Sequence, residues 1–152
     1  MKNIISVKNI SKNFNDNLAV DRISLEINKG EIYGLLGHNG AGKSTTINIL
    51  LGFLQPDSGT ATINGIDISK NYNLARKSIG YISENVSLYP YLTGEENLDY
   101  FCKLSGKSFS QSRLKDLLNE CGLDNKVHQN RTETYSKGMR QKVGIAIALA
   151  KE

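Results

Sequence analysis

One stretch limits what this chain can fold into more than any other. Gly37-His38-Asn39-Gly40-Ala41-Gly42-Lys43-Ser44 satisfies G-x-x-x-x-G-K-[ST], the Walker A pattern. An apolar run, Ile32–Leu36, precedes it, and Ser44–Leu51 follows with Ile47, Leu50 and Leu51 on one helical face. The expected unit is a strand buried on both faces, a phosphate-binding loop, and a helix ended by Gly52. Glycines let the loop curl until successive N–H groups point inward, where a Cβ would crowd phosphate oxygens. The helix start adds unpaired N–H groups and the positive end of its dipole. Lys43 reaches the β- and γ-phosphates as a point charge, and the Ser44 hydroxyl is a hard oxygen ligand for the Mg²⁺ that accompanies ATP. His38 sits inside the loop as a backbone contributor rather than an acid or base.

Around this loop the pattern divides. Asn3–Ile10 and Arg22–Ile27 read as strands, with turns at Asn13–Asn17 and Asn28–Gly30. Thr60–Ile63 and Ile66–Ile68 read as a hairpin, because Asn64-Gly65 suits the two positive-φ positions of its turn. A short helix near Tyr72–Lys77 leads to an expected strand, Ile79–Ile82. From Glu84 the pattern is helical. Thr93 with Glu96 forms a capping box for a helix through Leu104, ended by Gly106. Ser110–Cys121 is a second helix, closed by Gly122, and Ser136 caps a third that runs to Glu152. Strands first and helices afterwards give an α/β or α+β domain, with a strand-rich part over 1–83.

Composition excludes several alternatives. Of the 152 residues, 39% are hydrophobic and 22% charged, as in an ordinary globular chain. Val143–Ala150 is the longest apolar-leaning stretch and too short to span a bilayer. Met1–Ser11 is polar and alternating, unlike a secretory signal. Cys102 and Cys121 are too few for a disulfide framework or zinc site, and are expected to be reduced, packed thiols. The net charge of +4 is scattered, without the basic and aromatic interleaving that tracks nucleic acid, so no nucleic-acid partner is expected.

The loop alone does not distinguish between phosphate-loop families. The residues around it do. Asn28-Lys29-Gly30-Glu31-Ile32-Tyr33-Gly34-Leu35-Leu36 before the loop, Thr45-Thr46 after it, and Gln55-Pro56-Asp57-Ser58-Gly59-Thr60 beyond resemble the ATPase domain of ATP-binding-cassette (ABC) transporters. Far downstream, Tyr135-Ser136-Lys137-Gly138-Met139-Arg140-Gln141-Lys142 is similar to the family signature, usually Leu-Ser-Gly-Gly-Gln. The resemblance covers nearly the whole chain. It implies an α/β P-loop NTPase of the ABC type: an N-terminal antiparallel β subdomain and loop core over 1–83, a helical subdomain over 84–135, and a signature helix over 136–152. On this reading the domain is incomplete at its C-terminus.

The family's roles transfer position by position. Gly37, His38, Asn39, Gly40, Ala41, Gly42, Lys43, Ser44 and Thr45 are implied to hold ATP, and Phe14 to stack on adenine. Ser136 and the Gly138 backbone are implied to face the γ-phosphate held by a second ATPase domain in a head-to-tail dimer. Glu84 stands where most members have Gln, and is implied to join Ser44 on Mg²⁺ and to act near the attacking water. A membrane-spanning permease is the implied partner and would read the substrate, leaving this chain cytoplasmic at the inner face of the membrane. Lys137 and Glu84 are similar to the exporter branch. The family's Walker B strand, an apolar run ending in Asp-Glu, is missing from these 152 residues. Glu95-Glu96 opens a helix instead, and His128 precedes the signature. The expectation is thus an exporter ATPase whose 152 residues alone bind but do not hydrolyse ATP. The alternatives are a hydrolysis-incompetent or pseudo-enzyme module, or a non-transport ABC protein.

Overall fold

A computed structural model describes residues 3–151. They form two compact units, residues 3–79 and residues 80–151.

The first unit is built on an antiparallel sheet of order β2-β1-β3-β4. Strand β1 is Asn3–Phe14, β2 is Asn17–Asn28, β3 is Ser58–Ile63 and β4 is Ile66–Asp67. Both long strands exceed their expected lengths. The turn expected over 13–17 tightens to two residues, Asn15 and Asp16, with Asn15 at φ 52°. The β3–β4 hairpin turns on Asn64 and Gly65, at φ 51° and 79°, the backbone signature expected of Asn-Gly. Val7, Ile10, Val20, Ala61 and Ile63 of the sheet bury against Ile49 of helix α1 (Lys43–Leu50) and Ala75 of the short α2 (Tyr72–Ala75).

Two expected strands do not form. Ile32–Leu36 adopts no strand, and Ile32 and Leu36 are 99% and 93% exposed. Ile79–Ile82 likewise has no ladder partner among the described residues, and Tyr81 and Ile82 lie exposed. An apolar run becomes a strand only when a neighbour takes its N–H and C=O groups. Neither run has such a neighbour here.

The second unit packs α3 (Gly94–Leu104), α4 (Gln111–Glu120) and α5 (Lys137–Leu149) around Leu98, Cys102, Leu114, Leu118, Leu123, Tyr135 and Val143. The capping box at Thr93 and Glu96 is complete on both sides. Helix α5 ends at Leu149, short of the expected Glu152, which lies outside the described residues. Helices α1, α3 and α4 stop alike: the N–H of Phe53, Lys107 and Leu123 returns to the carbonyl of Asn48, Cys102 and Leu118. The residue before each donor is Gly52, Gly106 or Gly122, at φ between 70° and 78°. That turn needs a left-handed residue, which explains glycine at all three ends. No helix among the described residues is long and apolar enough to cross a membrane. Cys102 and Cys121 are free, and burial pushes both thiols above their ordinary range.

Candidate functional site

Loop 37–44 is held from behind by the β1–β2 hairpin. A Cβ on Gly42 would meet the Ala19 carbonyl oxygen at 2.3 Å and the Val20 side chain at 3.2 Å. The Gly42 φ of 79° is also one that L side chains rarely adopt. Only glycine brings the loop this close to β2. From there Gly42 starts α1 without a side-chain cap, while its carbonyl accepts from the Thr46 N–H at 2.8 Å and the buried Thr46 hydroxyl at 2.9 Å. A helix start of this kind leaves its first N–H groups without intrahelical acceptors.

The loop folds around its own cation. The Lys43 ammonium donates to the Gly37 carbonyl at 2.6 Å and to the His38 carbonyl at 2.8 Å. Ala41 N–H also donates to the His38 carbonyl, at 3.2 Å, and His38 Nδ1 lies 2.8 Å from the Asn39 carbonyl. A half-buried lysine tied only to backbone carbonyls is ready to exchange them for stronger, charged acceptors. Asn39, Gly40 and Ser44 are exposed and Thr45 half-buried. This arrangement suits a polyphosphate, with the Ser44 hydroxyl open to a hard divalent ion.

Phe14 sits at the tip of the β1–β2 hairpin, 44% exposed, opposite Asn17. Lys12 Nζ lies over its ring, 5.8 Å from the centroid. Lys12 also binds Asp57 Oδ1 at 2.7 Å, and the Asn13 N–H donates to Asp57 Oδ2 at 2.7 Å. These bonds, the backbone one first, hold the Asp57 carboxyl below the usual carboxylate range. The stability they bring is present above the ordinary value of 3.8 and lost as pH falls through the lowered one. Nothing local in the sequence announces the link, which spans 45 positions.

The remaining candidates belong to the second unit. Ser136 caps α5, its hydroxyl accepting from Met139 N–H at 3.2 Å, with Gly138 exposed in the first turn. Glu84 is exposed on the segment before α3, its carboxylate 4.0 Å from the Lys137 ammonium. That pair brings two of the sequence candidates together, although an ion pair so exposed adds little stability. Arg140 donates to the Tyr135 carbonyl, fixing the chain just ahead of Ser136. A buried side chain that sequence reasoning missed organises the approach to it. Asn97, fully buried, accepts from Tyr89 N–H at 2.8 Å and donates to the carbonyls of Tyr89 and Thr93 at 3.1 and 2.9 Å. Thr132, also buried, donates its hydroxyl to the same Tyr89 carbonyl at 2.8 Å and its N–H to Leu92 at 2.9 Å. Segment 89–93 is thereby stitched to residues 131–135, which lead directly into the Ser136 cap.

Comparison with known proteins agrees with this geometry. The family model for ABC transporters matches residues 20–152. An uncharacterized ABC transporter ATP-binding protein of Bacillus subtilis, YhcH, is 38% identical over 98% of this chain and 48% of its own length. The bacitracin transport ATP-binding protein BcrA of Enterococcus faecalis is 37% identical over 100% of this chain and 49% of its own. The chain spans about half the length of these curated relatives. Among solved structures, the ATP-binding cassette MJ0796, a dimer bound to ADP and Pi, superposes with a TM-score of 0.83 at 26% identity, over 97% of this chain and 69% of that one. The fold is therefore the α/β cassette of P-loop ATPases, and the chain belongs to the ABC transporter family.

Proposed function

We propose that this chain is the ATP-binding part of an ABC exporter, working at the cytoplasmic face of a membrane-spanning permease. The observation that carries the reading is the loop itself, whose Lys43 ammonium is parked on the carbonyls of Gly37 and His38 at the open start of α1. Residues 37–45 hold the triphosphate of ATP, with Phe14 against the adenine and Ser44 on Mg²⁺. When bound, Mg²⁺ supplies charge neutralisation on the β- and γ-phosphates. Ser136 and the Gly138 backbone face the γ-phosphate of a second ATPase domain. The dimeric state of the MJ0796 cassette supports that arrangement, and the transport role in the name of BcrA supports the transporter reading.

A permease would meet the second unit beside α3. Of the apolar side chains in the segment that leads into that helix, Tyr89 and Tyr91 are 48% and 74% exposed, while Val86, Leu88 and Leu92 are half-buried. Tyr100 packs edge-on to Tyr89 and is itself exposed, so the aromatic surface is continuous. Exposed apolar surface of this kind marks interfaces.

As a 152-residue polypeptide the chain is proposed to bind MgATP without appreciable turnover. The residues assigned above supply binding, and none of them is a carboxylate to orient water. Two measurements on Lys43→Ala test this reading. ATP-analogue affinity should fall by about 10- to 100-fold with the circular dichroism unchanged, as expected for a lost charge-assisted contact. Equal affinity would remove the phosphate-loop assignment. Phosphate release at about 1 s⁻¹ or faster that vanished in Lys43→Ala would reveal a working catalytic carboxylate, with Glu84 the first suspect.

A further inference from the structure

We infer that Asp57 is a positioning residue for the Phe14 ring, acting with Lys12 to fix one ring face and leave the other for a purine base. The inference rests on the reading of Phe14 as the adenine platform.

The β1–β2 hairpin outruns the rest of its sheet. Strand β3 begins at Ser58, opposite Ser11, so Lys12, Asn13 and Phe14 pair only with Val20, Leu18 and Asn17 of β2. A two-stranded ribbon by itself is marginal in water, and the register of β1 against β2 already shifts at Lys12. A stacking platform at such a tip would wander unless something else held it.

Asp57 does hold it, from the free edge. Its N–H donates to the Ser11 carbonyl at 2.9 Å, Oδ2 accepts from Asn13 N–H at 2.7 Å, and Oδ1 accepts from Lys12 Nζ at 2.7 Å. One residue thus continues the ladder where β3 has no strand to offer. The two side-chain bonds are charge-assisted, the stronger class. The third partner sets the ring environment. The Lys12 side chain is only 16% exposed, and its ammonium, drawn to Asp57, sits over the Phe14 ring. A cation on one π-face is favourable and occupies it, so a base stacks on the opposite face. The same hairpin backs the phosphate loop through Ala19 and Val20, and Val20 is the cross-strand partner of Lys12. Fixing the tip therefore fixes the base platform relative to the phosphate cradle.

The test separates the base from the phosphates. Affinities of the full chain for MgATP and for magnesium tripolyphosphate, which carries no base, are measured for wild type, Phe14→Ala, Asp57→Ala, Lys12→Met and Asp57→Ala/Phe14→Ala. Phe14→Ala should weaken MgATP by about tenfold, the scale of one aromatic stack, and leave tripolyphosphate unchanged. Asp57→Ala should weaken MgATP several-fold with tripolyphosphate again unchanged, and should add nothing once Phe14 is gone. Lys12→Met, which keeps the Asn13–Asp57 bond, should give a smaller loss of the same base-dependent kind. Faster hydrogen exchange at the Asn13 amide in Asp57→Ala would report the loosened tip directly. If Phe14→Ala weakens MgATP while Asp57→Ala and Lys12→Met do not, the positioning role is wrong. Equal losses for both ligands in Asp57→Ala would mean general damage, which also overturns it. If Phe14→Ala has no effect, the adenine platform itself falls, and the inference with it.

Discussion

Two helices in this protein begin in opposite ways. Helix α5 opens on Ser136, whose hydroxyl accepts from Met139 N–H, and α3 and α4 open likewise on Thr93 and Ser110. Helix α1 opens on Gly42, left-handed and without a side-chain cap. Among described helices of eight residues or more, α1 alone starts bare. A cap completes a helix by satisfying a donor that would otherwise be left over. A bare start keeps its donors for something outside the chain, and gives up stability for that. The comparison separates a helix end built to bind from ends built to hold.

The largest effect should come from trying to make α1 resemble the others. Gly42→Ala forces a Cβ to within 2.3 Å of the Ala19 carbonyl at φ 79°. A left-handed L residue costs roughly 1–2 kcal/mol and overpacking against backbone about 1–3 more. The sum, about 2–5 kcal/mol, should appear as a lower urea midpoint and as lost nucleotide binding. Gly42→Ser should fare no better, although serine is a good cap elsewhere. If Gly42→Ser stabilised the protein, the bare start of α1 would be an accident rather than a consequence of the contact with β2.

These ends also show what a sequence can announce. The capping box at Thr93, the Ser136 cap, the glycine stops and the Asn64-Gly65 hairpin were all legible, because each depends on residues within one turn of one another. The loop at 37–44 was legible for the same reason. The runs Ile32–Leu36 and Ile79–Ile82 misled, because a strand exists only beside another strand and no neighbour is written into the run itself. The roles of Asn97 and Asp57 were hidden for a related reason. Asn97 touches Thr132 across 35 positions and Asp57 touches Asn13 across 44, and an isolated Asn or Asp in a sequence looks like any surface polar residue.

The middle-sized effect belongs to Asn97, where the second unit keeps its polar groups satisfied internally. Asn97→Ala would strand the Tyr89 N–H and deprive the carbonyls of Tyr89 and Thr93 of a donor. Each buried polar group left unpaired costs about 1–3 kcal/mol, so a loss of about 2–3 kcal/mol is expected. Asn97→Asp should be worse, since a carboxylate would face carbonyl oxygens that now receive an amide. Chemical denaturation of both variants checks the order. A loss below about 0.5 kcal/mol for Asn97→Ala would mean that water replaces the amide and that the 89–93 segment does not depend on it.

The smallest effect tests the capped end by itself. Ser136 is exposed and extended, at φ −63° and ψ 163°, so its hydroxyl does one structural job, accepting from Met139 N–H. In Ser136→Ala that N–H turns to water, which the exposure of the site permits. The backbone bond from Arg140 N–H to the Ser136 carbonyl remains, and so does the burial of Val143 and Ala146 against the rest of the unit. The expected loss is about 1 kcal/mol, and only a few tenths for Ser136→Gly, because glycine tolerates the cap position nearly as well. Both should shift the urea midpoint without changing the slope of the transition, since neither alters the surface exposed on unfolding. A loss above about 3 kcal/mol for Ser136→Ala would exceed any cap and show that Ser136 carries buried contacts. The contrast between a helix start that holds and one that binds would then have to be drawn elsewhere than at the cap.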